Sequence, residues 1–446
     1  MLYSSVVFLF FFLPVVLIGH SLLPFRFKNV FLLAASLFFY AYGDARYLPL
    51  FLALTAVNYL CARGMDRFTG RKRTLMMALS VSLNVAALVY YKYSGLLFPG
   101  MESIPALPLG ISFFIFQSLS YVLDVYAGRT KSEPSPVNYT TYIMLFPQLI
   151  AGPIVRYSDV ARELHERRVR AQDLETGMLQ FVIGLSSKAL LANRIGVLYD
   201  QLMQIPDRGA LGSLLALAAC GFQYYYDFAG YSLMAIGIGR MMGFAFPHNF
   251  NHPFAADSIR DFWHRWHITL SQWLSTYIYL PLGGSRVGKA RLAVNLLITW
   301  GVSGLWHGAG WNFLAWGLYF GVLMLFERLV YGQWLKKHRI AAHVYAMTAV
   351  LLSWMLFSQE SLPALSAFAA QLISPSIGDN VMFALSCHAS VFALALLFAV
   401  PAIARGLYAR LSAHGALRTV TMAALFVLCV MELLGSAYNP FLYFRF

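Results

Sequence analysis

Two histidines stand where an ionisable side chain is costly. His307 follows a continuous apolar run (292–302) within GLWHGAGW, and His267 lies in DFWHRWHITLSQW, flanked by Trp266 and Ile268. A titratable group at membrane depth is a functional hypothesis by default, and imidazole, titrating near neutrality, suits proton transfer in a buried site. Gly308 and Gly310 would let the helix break and the backbone open around the His307 ring. The plainer alternative is a core histidine bonded to a backbone carbonyl. Asp227, in YYYDFAGYS, reads as lying between two spans among aromatics, where it either orients a catalytic group or bonds backbone. His264, three residues before His267, reads as a hydrogen-bonded interfacial residue. With His267 and His307 it would complete a three-nitrogen zinc site, but the sequence offers no nearby carboxylate to support one, and no metal is expected. Without a G-x-S-x-G sequence there is no nucleophile elbow.

The elements that must position these residues are apolar helices. The chain has 446 residues, 59% hydrophobic and 12% charged, with a mean hydropathy of +0.63, well outside the soluble range. Apolar runs of about 18–22 residues recur from end to end, each able to cross a bilayer as a helix. A β-barrel would show short alternating segments instead. The reading is an all-α, polytopic integral membrane protein of about 11–13 spans. They fall near 4–23, 29–43, 47–62, 74–93, 108–127, 176–199, 209–226, 229–245, 292–307, 311–330, 341–357, 385–404 and 417–437. They form one domain, 1–446, with a histidine-motif core at about 220–330 and a tail at 438–446. The first run, lacking a basic flank and a cleavage site, reads as a retained span. Residues 139–155, short and broken by Pro147, Gly152 and Pro153, read as a re-entrant hairpin followed by an amphipathic surface helix. Trp263, Trp266, Leu270 and Trp273 repeat at the spacing of one amphipathic helix, on which Asp261 and Arg265 can pair.

The net charge of +14 does not indicate nucleic acid, because the basic residues gather in short loops, as membrane topology requires. Arg63, Arg67, Arg71, Lys72 and Arg73 mark one cytoplasmic loop and Arg328, Lys336, Lys337 and Arg339 another. Counting from them puts both termini and the loop 358–384 outside. The four cysteines are scattered and suggest neither a disulfide framework nor a metal site. A flippase for a lipid-linked sugar or acyl carrier is the competing class, since broken helices and buried histidines occur there as well.

The segments LPLGISFFIFQSLSYVLDVY, LFPQLIAGPIVRYSD, YYYDFAGYSLMAIGIGRMMGF, DFWHRWHITLSQW and GLWHGAGWNFLAWG resemble the membrane-bound O-acyltransferase family. The likeness is greatest to its bacterial branch acting on cell-envelope polymers: alginate, peptidoglycan, cellulose and teichoic acid. The chain departs from that branch at Ser275-Thr276, where Arg-Asp is common, and at Leu233, where alginate-type members carry Asp. The resemblance implies a ring of helices with re-entrant segments around a central funnel, in a bacterial inner membrane. It implies His307 as the catalytic histidine and His267 as the second signature histidine, positioning groups or polarising a carbonyl, with Asp227 in support. It implies acetyl-CoA as donor, an extracytoplasmic polysaccharide as acceptor and a periplasmic SGNH-type acetyltransferase as partner. The C-terminal AYNPFLYFRF reads from composition as an aromatic anchor in the lipid interface. The branch's C-terminal F-x-Y-x-x-F pattern instead implies Tyr443 as an acyl carrier.

Overall fold

The computed structural model describes residues 1–97, 106–376, 378–413 and 415–435, and every regular element among them is helical. In chain order these are α1 (Leu13–Leu22), α2 (Phe25–Asp44), α3 (Leu48–Arg67), α4 (Gly70–Leu97), α5 (Ile111–Tyr126), α6 (Pro136–Met144), α7 (Phe146–Leu149) and α8 (Tyr157–His165). They continue as α9 (Ala171–Ser186), α10 (Asn193–Gln204), α11 (Gly209–Met241), α12 (Ile259–Arg265), α13 (Ile268–Leu274), α14 (Lys289–His307) and α15 (Trp311–Phe326). The last are α16 (Gly332–Lys337), α17 (Arg339–Ser358), α18 (Leu362–Ile373), α19 (Asp379–Ala399), α20 (Pro401–Ala413) and α21 (Gly415–Gly435). Among the described residues, seven helical stretches are long and apolar enough to cross a membrane, and three shorter apolar helices accompany them. The protein is therefore an all-α, polytopic membrane protein. The tail 438–446, and Tyr443 with it, lies outside the described residues.

Two compact units are distinguished, residues 1–181 with 232–248, and 182–231 with 249–446. In the first, α3 and α4 are joined by polar side chains inside the apolar bundle. Asn58 of α3 accepts from Ser80 at 2.6 Å and from Asn84 at 2.7 Å, both on α4. The broken segment after α5 is two short helices, α6 and α7, whose end is irregular and wholly buried. Its backbone is satisfied by protein: the Tyr3 hydroxyl donates to Phe146 O at 2.7 Å and the Tyr142 hydroxyl to Val155 O at 3.0 Å. The amphipathic helix follows as α8.

The helices depart from the sequence reading in two places. Residues 209–245 do not form two spans. They include one 33-residue helix, α11, about 50 Å long at 1.5 Å per residue. Asp227 is thus in mid-helix, not in a connection. The aromatic residues around it pack on neighbouring rings: Phe222 and Tyr225 both meet Phe254 at 5.1 Å, and Tyr224 stacks on Trp354 at 5.2 Å. Nor is the histidine stretch one helix. It divides at Trp266–His267 into α12 and α13, because His267 takes a left-handed conformation (φ 42°, ψ 53°).

Candidate active site

The break at His267 is built by the loop before it. The backbone of 249–251 pairs with the turn, Ile268 N–H donating to Asn249 O and Asn251 N–H to Arg265 O, each at 2.9 Å. A non-glycine residue at positive φ is strained and persists where its surroundings over-determine it, commonly at functional sites. The expected Trp263, Trp266, Leu270 and Trp273 stripe is buried, and Arg265 pairs with Asp261 at 2.8 Å as its spacing suggests. At the start of α12, the buried Glu327 carboxylate accepts from Ile259 N–H at 2.5 Å and Arg260 N–H at 3.2 Å. It thus acts as a helix cap supplied from the π-helical turn Glu327–Tyr331. An anionic cap satisfies otherwise open amides and complements the helix dipole.

His267 is 1% exposed. Its ring meets Phe228 edge-on at 4.7 Å and Trp306 at 5.8 Å, and its Nδ1 lies 3.1 Å from Asn249 Oδ1. His307, the last residue of α14, is 6% exposed and ringed by Trp306 (4.7 Å), Trp316 (4.9 Å) and Phe357 (5.3 Å). Trp306 thus packs against both histidines. The helix does end at Gly308, but not through unusual glycine torsions, since φ there is −174°. Glycine is needed for space: a Cβ at 308 would stand 2.3 Å from the Phe313 ring.

Asp227 is 2% exposed and bonds Lys188 Nζ at 2.5 Å. Lys188 is 0% exposed, on the π-helical turn Ser187–Ala192 between α9 and α10. Gly230 makes this contact possible, since a Cβ there would meet Gly184 O at 2.6 Å and Lys188 N at 3.1 Å. Asp227 adjoins Phe228, whose ring packs on His267, so the ion pair anchors the helix segment carrying one wall of the site. A lysine inside an apolar span was itself a signal, though nothing local identifies its partner. Glu327, near the end of the 311–330 run, carried the same kind of signal, and Asn249 had none. Removing the cation leaves a buried carboxylate without it, which typically costs about 3–5 kcal/mol. Lys188→Met should accordingly lower thermal stability in detergent sharply, with the Lys188→Met/Asp227→Asn double variant recovering part of the loss. A single variant melting like wild type would show that the pair does not hold this segment.

A cavity of about 840 Å³ opens beside the α12–α16 helices. Arg260, His264, Arg328 and Lys336 stand on its wall, as do Ser303 and Trp263. The Ser303 hydroxyl and the Trp263 indole N–H are buried with no hydrogen-bond partner among the described residues. Ser303 lies one turn before His307 on the same face of α14. His264 thus faces the cavity while His267 turns into the Phe228–Asn249 wall. Among the described residues no three His, Cys, Asp or Glu side chains converge as metal ligands would.

The profile of the MBOAT, membrane-bound O-acyltransferase family, matches residues 70–364. The chain is 36% identical to a probable alginate O-acetylase of Azotobacter vinelandii, over 81% of this chain and 76% of that protein. It is 31% identical to a peptidoglycan O-acetyltransferase of Helicobacter pylori, over 87% of this chain and 82% of that protein. A teichoic acid D-alanyltransferase of Bacillus subtilis is 30% identical over 52% of this chain and 61% of its own length.

Proposed function

This chain belongs to the membrane-bound O-acyltransferase family, and we propose that within it the protein carries an acetyl group from cytoplasmic acetyl-CoA to an extracytoplasmic polysaccharide. That it is a membrane O-acyltransferase follows from the family. The polysaccharide is inferred from the relatives whose names specify alginate and peptidoglycan acetylation.

The observation that carries the proposal is the cavity that Ser303 lines one helical turn before His307. Arg260, Arg328 and Lys336 outnumber Asp257 and Glu327 on its wall, a balance that suits a phosphorylated thioester donor, and the buried Ser303 and Trp263 donors offer fixed points for the donor's polar groups. With α11 read as a single crossing, Lys/Arg topology assigns the segments 240–291 and 328–339 to the cytoplasmic side, where the donor is made. In the reaction His307 removes the acceptor hydroxyl's proton as its oxygen attacks the thioester carbonyl. The C–S bond then breaks, and the thiolate leaves with a proton returned by the imidazolium. A hydroxyl is too weakly acidic to attack without such a base. On this reading the protein resides in a bacterial inner membrane with both termini outside, and a periplasmic SGNH-type transferase completes delivery to the polymer.

The test is transfer in proteoliposomes. Radiolabelled acetyl-CoA supplied on the face bearing the Lys/Arg loops should yield labelled ester on an acceptor polysaccharide at the opposite face, given the partner transferase. Label transferred only from the opposite face, or none from acetyl-CoA, would overturn the proposal.

A further inference from the structure

We propose that Asn249 is a positioning residue that fixes His267 as the Nδ1–H tautomer, so that Nε2 offers substrate a lone pair and not a proton. The inference rests on the acyltransferase reading for its consequence, though not for its geometry.

The Asn249 side-chain orientation is determined by its neighbours. The Thr269 backbone N–H, which can only donate, points at Oδ1 from 3.3 Å, and the Thr269 hydroxyl donates to the same atom at 2.9 Å. The atom facing them must therefore be the amide oxygen, not the nitrogen. That oxygen cannot donate, so His267 Nδ1, 3.1 Å away, carries the hydrogen. In the neutral ring Nε2 is then an acceptor. The arrangement is rigid: Asn249 is 1% exposed, its own carbonyl takes Ile268 N–H at 2.9 Å, and His267 is locked in the left-handed conformation. A histidine held this way has the configuration of a base or of a hydrogen-bond acceptor.

This changes the role that the sequence suggests for His267. A ring accepting at Nε2 cannot polarise a thioester carbonyl, which needs a donor. It can hold an N–H or O–H group of a bound substrate. Two sources supply that chemistry, an amide N–H of a pantetheine-bearing donor and a hydroxyl of the acceptor.

Nitrogen-15 NMR on protein labelled at its 11 histidines, with His267→Gln to assign the signal, reads the tautomer without any activity. We expect a pyridine-like Nε2 and a protonated Nδ1 in the wild type at neutral pH; an Nε2–H tautomer or an imidazolium overturns the proposal. Kinetics then read the consequence. Asn249→Leu should lower kcat/KM roughly a hundredfold, while Asn249→Asp, which keeps an acceptor for all three donors, retains most of it. A raised KM for acetyl-CoA assigns Nε2 to the donor's amide, and a raised KM for the acceptor, or a fall in kcat, assigns it to the hydroxyl. Wild-type kinetics in Asn249→Leu overturn the positioning role. Absence of transfer in the wild type would sink the acyltransfer reading while leaving the tautomer result intact.

Discussion

His307→Ala is expected to reduce acetyl transfer by about 10³-fold or more, near the upper part of the range for loss of a positioned general base. On the proposed mechanism the acceptor hydroxyl then loses the group that takes its proton as it attacks. The substitution also removes a ring packed on Trp306, Trp316 and Phe357, so a packing loss must be separated from a chemical one. His307→Gln, closer in volume and polar but unable to take a proton near neutrality, makes the separation. Both variants should be inactive, and His307→Gln should melt close to wild type. Because the base acts on the transition state, kcat should fall while donor KM holds. Substantial transfer by the well-folded His307→Gln protein would remove His307 from the role of base. His267 should behave differently, since an acceptor that positions substrate contributes less than the group that takes the proton.

Tyr443→Phe is expected to stop polymer acetylation while leaving the protein inserted and stable. The segment AYNPFLYFRF is unusually aromatic, with Phe441, Phe444 and Phe446 around the tyrosine. An anchoring role needs only the rings, which phenylalanine supplies equally well. A carrier role needs the phenol oxygen: it would take the acetyl group from the thioester with His307 as base, then surrender it to a hydroxyl in the partner transferase. A phenolate leaves more readily than an alkoxide, so the second transfer proceeds downhill. The two roles therefore differ in one atom. Acetyl-tyrosine on the tail, sought by mass spectrometry of wild-type protein with the partner withheld, is the matching intermediate. Normal polymer acetylation by Tyr443→Phe would leave the tail as an anchor.

Much of this was determined by the sequence alone. Apolar runs of spanning length, with charge confined to loops, leave an all-α membrane protein as the only outcome, because backbone in lipid must satisfy itself within each segment. The two histidines were conspicuous for a related reason: among so many apolar residues an imidazole is expensive. Local pattern also gave the α14 terminus at His307, the Asp261–Arg265 pair and the buried tryptophan stripe. What tertiary structure decided lies where local pattern and packing disagree. Asp227 reads locally as lying between two spans among aromatics, yet α11 continues through it, since Lys188 bonds the aspartate and neighbouring rings pack on Tyr224 and Tyr225. The helical stripe of DFWHRWHITLSQW predicts one helix, yet it divides at His267, because the 249–251 backbone pairs with the turn and Asn249 Oδ1 lies within hydrogen-bond distance of the imidazole Nδ1. Lys188–Asp227 and Asn249–His267 join residues 39 and 18 positions apart. A periodicity reports which face of a segment is buried; only the fold selects the partner that meets it there.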